Sequence, residues 1–284
     1  MKLLQRKIDS ILKEWKKNEN RLPLIVKGAR QVGKTASILQ FAHSNYKNVV
    51  AINFVLQPKY KAIFEEGYEV DDIIRNLTLI DPSLKIEPTN TLIFFDEMQD
   101  CPACATSLKA FKIDGRYDVI CSGSLMGINY QEIESNSVGY KEDYTMHSMD
   151  FEEFLWAKGY DSSFINSLYD KMTTVTPLTR IEMDILEKIF REYMTIGGMP
   201  AVVNQFVSNK NFSGTLKMQQ QLLLDYEEDI TKYAHGLDKG RIKNVYDHIT
   251  VFLGQDNKKF QISKIARGAR NREYVGTIEW LRNA

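Results

Sequence analysis

The chain has 284 residues, 43% of them hydrophobic and 26% charged. That composition is globular, with room for more than one domain and for a core that needs no metal or disulfide staple. Three cysteines, Cys101, Cys104 and Cys121, are too few for a secreted disulfide framework. The N-terminal residues turn charged before an apolar h-region forms, and no apolar run approaches the roughly 18 residues that span a bilayer. The expectation is a cytoplasmic protein with no signal peptide and no membrane contact. The net charge of +0 conceals an asymmetry: residues 239–284 carry ten basic and four acidic residues, leaving +6 there and −6 over the rest. Such a tail is either a solvated face or a nucleic-acid contact, and the solvated face is the commoner case.

In chain order, residues 22–27 predict a first strand. A helix follows from Gly33, with Ile38, Leu39 and Ala42 on its buried face. Residues 48–54 predict a second strand, and 58–80 a polar, partly helical stretch. Residues 91–96 form a third strand that is apolar on both faces, the signature of a parallel sheet covered by helices on both sides. Further strands are expected at 117–122 and 143–149. Strands separated by helical segments predict an α/β fold with a parallel sheet. After Phe151 the pattern is helical: 181–194 is amphipathic and is broken by Gly197-Gly198-Met199-Pro200. Helices are also expected over 214–233 and 241–253, the latter with Ile242, Val245, Tyr246, Ile249 and Phe252 at helical spacing. This organisation divides the chain into a core over 1–158, a helical lid or connector over 159–236 and a last segment over 237–284.

Gly28-Ala29-Arg30-Gln31-Val32-Gly33-Lys34-Thr35, followed by Ala36, matches G-x-x-x-x-G-K-[ST], the phosphate loop or Walker A motif. Glycines let the backbone curl so that successive N–H groups face phosphate oxygens, and the helix that follows adds its positive end. Lys34 suits the β- and γ-phosphates of ATP, and the Thr35 hydroxyl suits Mg²⁺. Arg30 and Gln31 fall at variable positions and read as exposed loop side chains. An apolar strand before the motif and an amphipathic helix after it supply the right context.

Phe94-Phe95-Asp96-Glu97 is the second half of the site, a Walker B pattern. A carboxylate leaving a buried strand is costly unless it is paired or near a metal. At the carboxyl end of a parallel strand it faces the ligand crevice. Asp96 is the expected Mg²⁺ partner and Glu97 the group that orients or activates water, although both residues also suit the first turn of a helix. One strand lies between the two motifs in sequence. That suits the class of P-loop enzymes with a glutamate beside the magnesium aspartate and an extra strand between the loop strand and the aspartate strand. The fourth strand runs into Ser122-Gly123-Ser124. Two readings stand level there: contact from Ser122 or Ser124 to the γ-phosphate or the water, or a turn with capping serines.

Cys101-Pro-Ala-Cys104 spells C-x-x-C without a second pair or a nearby histidine, and reads as incidental cysteines on the helix after Asp100. His43, His147, His235 and His248 show no metal spacing. Residues 260–266 followed by 272–281 read as a helix-turn-helix, with Ser263 capping the first helix and Tyr274, Ile278 and Leu281 facing a core. Arg270, Asn271 and Arg272 would then open the second helix, where such motifs contact DNA, unless the module only packs against protein.

These stretches resemble a bacterial and archaeal group of AAA-type ATPases, in which an AAA core is fused to a C-terminal domain of unknown function. The matching stretches are Gly28–Thr35, 92–99, Ser122-Gly123-Ser124, 144–155, Gly197-Gly198-Met199-Pro200 and 259–281. The stretch Met149-Asp-Phe-Glu-Glu-Phe-Leu155 and the Gly-Gly-Met-Pro stretch are the more telling of the group. The resemblance implies an AAA-type sheet, a helical lid and a winged-helix-like segment, with ATP preferred over GTP. It names no client. AAA relatives often complete their site with a residue from a neighbouring copy, so a homo-oligomer is an expectation. Relatives often have a basic residue right after the glycine at 139; here Tyr140 comes first and Lys141 second, so no arginine finger is assigned. Relatives continue well past position 284, so this copy reads as truncated within the winged-helix-like segment. The function expected is an Mg²⁺-dependent ATP hydrolase or switch of the AAA type. The alternatives are a DNA-binding regulator gated by ATP with little hydrolysis of its own, and a truncated inactive remnant.

Overall fold

In the computed structural model, residues 3–124, 137–234, 239–266 and 269–282 are described. The first part of the chain alternates helices and strands: α1 (Lys7–Lys17), β1 (Leu24–Gly28), α2 (Lys34–Asn45), β2 (Asn48–Asn53), α3 (Val70–Ile80), β3 (Thr91–Asp96), α4 (Ala103–Asp114), β4 (Asp118–Ser124) and β5 (Glu142–Thr145). Among the described residues the strands form one five-stranded sheet in the order β2-β3-β4-β1-β5, every pairing parallel. The α/β expectation therefore holds, and β4 is the added strand between the loop strand β1 and the aspartate strand β3.

Alternation along the strands builds two cores, one on each face of the sheet. Ile93 and Phe95 of β3 turn to one face, where they meet Val50, Ile52 and Phe54 and side chains of α3 and α4. Leu92 and Phe94 turn to the other face, toward α1 and α2. Every residue of β3 is buried, as a strand covered on both sides requires. Phe54 stacks on Phe95 at 5.6 Å between ring centres. Burial of each such ring stabilises the fold by about 1.5–3 kcal/mol. On the other face Trp15 meets Phe41 edge-on at 6.4 Å and donates its indole N–H to the Leu22 carbonyl at 2.7 Å. At the start of β4 Asp118 accepts two of the three Arg21 nitrogens, Nε at 2.6 Å and Nη2 at 2.9 Å, and the Tyr46 hydroxyl at 2.7 Å.

The second strand, the third strand and the long helices follow the sequence closely. The first and fourth strands each run beyond their expected carboxyl end, to Gly28 and Ser124. The fifth is shorter than expected: pairing stops at Thr145, and residues 146–149 leave the sheet for the next helix. On the α2 face Phe41 is buried beside Ile38 and Ala42, whereas Leu39 is only partly buried.

Beyond the sheet the chain continues as α5 (Phe151–Lys158), α6 (Ser162–Thr173), α7 (Arg180–Ile196), α8 (Pro200–Asn209), α9 (Thr215–Tyr233), α10 (Lys239–Leu253) and α11 (Asn271–Arg282). Asp150 caps α5 by accepting the Glu153 N–H at 2.9 Å, while Glu153 reaches back to the Asp150 N–H at 3.2 Å. This reciprocal pair satisfies two orphan donors at the helix start. Phe154 of α5 lies against Tyr193 of α7 and Phe206 of α8. Between α7 and α8 the backbone of Gly198 meets Met149: the Met149 N–H donates to the Gly198 carbonyl at 2.7 Å, and the Tyr193 hydroxyl donates to the Met149 carbonyl at 3.0 Å. A Cβ at Gly198 would sit 2.1 Å from the Met149 oxygen.

The chain divides into two compact units, one running to Thr215 and the other from Leu216 onward. In the second unit, Val245 and Phe252 of α10 pack with Ile265 and with Tyr274 of α11. Two details differ from the sequence expectation. Residues 260–266 form only a 3-10 turn at Ile262–Lys264 rather than an α-helix, so Ser263 sits inside that turn instead of capping a helix. Phe260, Ile262 and Ile265 all lean into the same cluster, and their spacing of two and three residues suits the tighter turn. On α11 the buried pair is Tyr274 and Thr277, while Ile278 is 37% exposed.

The Gly198 contact leads to a prediction. Gly198→Ala forces a Cβ into the Met149 carbonyl and lowers stability by about 1–3 kcal/mol, the usual cost of overpacking. A urea melt followed by circular dichroism measures it, and an unchanged midpoint would show that the Met149–Gly198 approach is not a constraint.

Candidate functional site

Gly28 ends β1, and there a Cβ would sit 2.1 Å from the Met146 carbonyl oxygen, so only glycine lets the chain pass. Further along the loop, Gln31 and Gly33 have φ of 62° and 98°. These left-handed residues curl the chain, with the one at Gly33 free of steric cost. Lys34 then opens α2, whose first-turn N–H groups have no acceptor within the helix. Lys34 itself is buried and folded across the loop, its Nζ donating to the carbonyls of Gly28 at 3.0 Å and Ala29 at 2.8 Å. Burial pushes its ammonium below the usual lysine range, and the Glu97 and Asp96 carboxylates oppose that shift. Gln31 and Ala36 are exposed, Arg30 is half-buried and Val32 is buried.

The end of the loop meets β3 through Thr35. The Thr35 hydroxyl lies 3.1 and 3.2 Å from the two carboxylate oxygens of Asp96. Asp96 is 6% exposed, and three more donors reach it. They are Asn53 Nδ2 at 3.0 Å, the Glu97 N–H at 3.1 Å and the Ser122 hydroxyl. Glu97 follows with φ 56° and ψ 48°, left-handed for a residue that is not glycine. That conformation costs of the order of 1–3 kcal/mol and concentrates at functional sites. Gln99 Nε2 donates to the Glu97 carboxylate.

The two serines that the sequence leaves level are separated by their partners. Ser122 bonds Asp96, while Ser124 Oγ is buried and has no hydrogen-bond partner among the described residues. Ser124 is also in register with Gly28, at the mouth of the loop. Neither serine lies in a turn; both belong to β4. The donor set fits a magnesium nucleotide. Thr35 and Asp96 offer the hard oxygens that Mg²⁺ takes alongside water and phosphate oxygens. The Ser124 hydroxyl is a polar group whose burial is costly until something pairs with it. On the far side of the loop, a mostly apolar cavity of about 220 Å³ is lined by Leu3, Leu4, Gly33, Ala36, Pro200 and Asn204 among others.

Three residues of this neighbourhood escape the sequence reading. Asn53 is a polar residue closing an apolar strand, and that is a readable signal. Arg6 and Glu153 lie 147 residues apart and pair at 3.0 Å, a contact no local pattern reveals. Lys141, weighed as a finger residue, has its ammonium on Asp143 at 2.8 Å. His235 lies outside the described residues. No cluster of His, Cys, Asp or Glu among the described residues can hold a metal by itself. No helix among them is long and apolar enough to cross a membrane.

The fold and these residues define a P-loop protein of the class with a glutamate beside the strand aspartate. Residues 20–155 match the family model of an AAA domain, and residues 187–284 match a domain of unknown function (DUF8612). The chain thus carries an AAA domain followed by a C-terminal domain of unknown function. An uncharacterized protein of Haemophilus influenzae is 21% identical over 179 residues, which cover 63% of this chain and 40% of that protein. The chain thus spans less than half the length of this curated relative. Three solved structures are similar. AMPPCP-bound DnaA from Aquifex aeolicus is 12% identical with a TM-score of 0.41, over 96% of this chain and 85% of that one. The replication initiator DnaA bound to AMPPCP and single-stranded DNA is 11% identical with a TM-score of 0.42, over 99% and 88%. Drosophila ORC bound to DNA is 11% identical with a TM-score of 0.40, over 96% and 84%.

The three cysteines are closed to chemistry in the folded protein. Cys104 Sγ lies 3.5 Å from Cys121 rather than against Cys101, and all three thiols are buried. Burial pushes the Cys101 thiol up to about 11 and the Cys104 thiol well above its usual value. A thiol is reactive as the thiolate, which is scarce here near neutrality. At pH 7.5 the native protein is therefore inert to iodoacetamide over an hour, while the unfolded chain takes up three labels. Mass spectrometry reads the difference, and fast labelling of the native Cys101-Pro-Ala-Cys104 pair would reopen a redox role.

Proposed function

We propose that this chain binds ATP with Mg²⁺ and hydrolyses it, using the nucleotide as a switch that acts on a client. The observation that carries this reading is the Thr35–Asp96 contact. It joins the phosphate loop to the acidic end of β3 and leaves Glu97 as the next residue. Backbone N–H groups between Gly28 and Ala36 hold the phosphates, and Lys34 leaves its loop carbonyls for the β- and γ-phosphate oxygens. Thr35 and Asp96 hold the magnesium ion, Asp96 with its other donors still in place. When bound, the ion neutralises charge on the phosphate oxygens. Glu97 orients and deprotonates the attacking water, and Gln99 holds the Glu97 carboxylate in place. Ser124 satisfies its hydroxyl on the γ-phosphate or on that water, while Ser122 serves the site through Asp96. The apolar cavity beside Gly33 and Pro200 takes the base. Because Pro200 and Asn204 belong to α8, base binding draws that helix toward the loop.

A general base contributes about 10²–10⁴ in rate. Glu97→Gln therefore keeps ATP affinity within about threefold and lowers turnover by at least about a hundredfold. Lys34→Ala abolishes binding at micromolar ATP. Equilibrium binding of a fluorescent ATP analogue and a phosphate-release assay measure the two effects. Equal turnover in Glu97→Gln would remove the base assignment.

A second reading rests on the last helices. Arg270 and Arg272 flank the start of α11, and Lys258, Lys259 and Lys264 are exposed with them. In this reading the segment binds duplex DNA through its phosphates, and ATP sets the conformation with little hydrolysis. Phosphate contacts of this kind make affinity fall steeply with salt. ATPase rates with and without duplex DNA, together with DNA affinity at two salt concentrations, separate the readings. Salt-independent or absent DNA binding would remove the second.

A further inference from the structure

Arg6 precedes α1 and is 5% exposed. Each nitrogen of its guanidinium has a partner: Nε donates to Glu153 at 3.0 Å, Nη1 to the Val32 carbonyl at 2.6 Å, and Nη2 to the His147 carbonyl at 2.8 Å. Glu153 is 4% exposed and takes the Lys7 N–H as well, at 2.7 Å. One guanidinium thus joins the start of α1, the phosphate loop, the segment after β5 and the first turn of α5. Taking two charges out of water costs several kcal/mol, and an apolar pair of the same volume often does as well for stability. Such a pair is accounted for better by the geometry it imposes than by the energy it adds.

That geometry falls on the loop. The Val32 carbonyl and the Gly33 N–H belong to one peptide unit, which is planar and trans, so they point in opposite directions. Holding the Val32 oxygen toward Arg6 turns the Gly33 N–H away from Arg6. Gly33, with φ 98°, is the residue whose backbone has the most freedom to turn otherwise.

We propose that Arg6 is a positioning residue for the phosphate site: through Val32 it fixes the direction of the Gly33 N–H, and Glu153 fixes Arg6. The inference rests on the reading of Gly28–Thr35 as the phosphate loop. Lysine cannot replace this arginine, because its single nitrogen cannot span Glu153 and the Val32 carbonyl in the same fork. Glu153→Gln leaves an acceptor for Nε but removes the charge.

The test is a calorimetric titration of the full chain with a non-hydrolysable ATP analogue and Mg²⁺, for the wild type, Arg6→Lys, Glu153→Gln and Lys34→Ala. Arg6→Lys raises Kd about tenfold and Glu153→Gln about threefold, each with one site per chain retained. A merely structural role lowers the number of sites per chain and leaves Kd unchanged; that result overturns the proposal. Where Arg6→Lys gives no soluble protein, Glu153→Gln decides on the same two quantities. Wild-type Kd in both variants, with binding lost in Lys34→Ala, overturns the positioning role and leaves the phosphate loop standing. Wild-type binding in Lys34→Ala removes the phosphate-loop reading and this inference with it.

Discussion

A carboxylate at the end of a fully buried strand has to be satisfied from several directions at once, and in this protein Asp96 is that group. Its donors come from α2 (Thr35), β2 (Asn53), β4 (Ser122) and its own following peptide (Glu97). Each lies on a different element, so the carboxylate can be solvated by the protein only when β2, β3, β4 and the start of α2 stand at matching heights. Hydrogen bonds to a charged group contribute about 1.5–3 kcal/mol each, more than neutral ones. The two apolar cores bring the layers together, but they tolerate sliding better than this cluster does. Site and sheet are therefore specified by the same few atoms.

The second organising device is the segment between β5 and α5. It leaves the sheet at Met146, passes Gly28 closely enough to exclude any side chain there, gives its His147 carbonyl to Arg6 and pairs Met149 with Gly198. It then enters α5 through the Asp150–Glu153 cap. In eight residues it touches the phosphate loop, Arg6 at the start of α1 and the α7–α8 turn. A change of loop geometry thus has a short, backbone-to-backbone route to the helices beyond the sheet. The route runs through contacts with no slack: two carbonyls against glycines and one buried guanidinium.

Much of this was legible in the sequence because its signals are local. Gly28–Thr35 and Phe94–Glu97 carry their chemistry within a few residues, and the strands announce themselves by apolar runs. The choice between Ser122 and Ser124 was not legible, because it depends on how far β4 runs and which register it keeps with β1. Arg6 and Glu153 read as ordinary charges near helix starts; only the fold brings them together. Glu153 did sit inside a stretch marked by family resemblance, which signalled the place without the reason. The segment 260–266 misled because its apolar residues follow a helical count closely enough, while the cluster they fill calls for a tighter turn. Asn53 could have been found, since a polar residue closing an apolar strand beside an aspartate strand asks for a partner.

The glycines at 28 and 198 abut carbonyls only three residues apart, those of Met146 and Met149. One short stretch of backbone thus sets how closely the chain passes at both glycines. The two positions therefore cannot drift independently through evolutionary time. A lineage that replaced either glycine would first have to lengthen or redirect the whole 146–150 segment, and in doing so would give up the carbonyl that holds Arg6. Three distant stretches of sequence are in this way bound to one mutational fate.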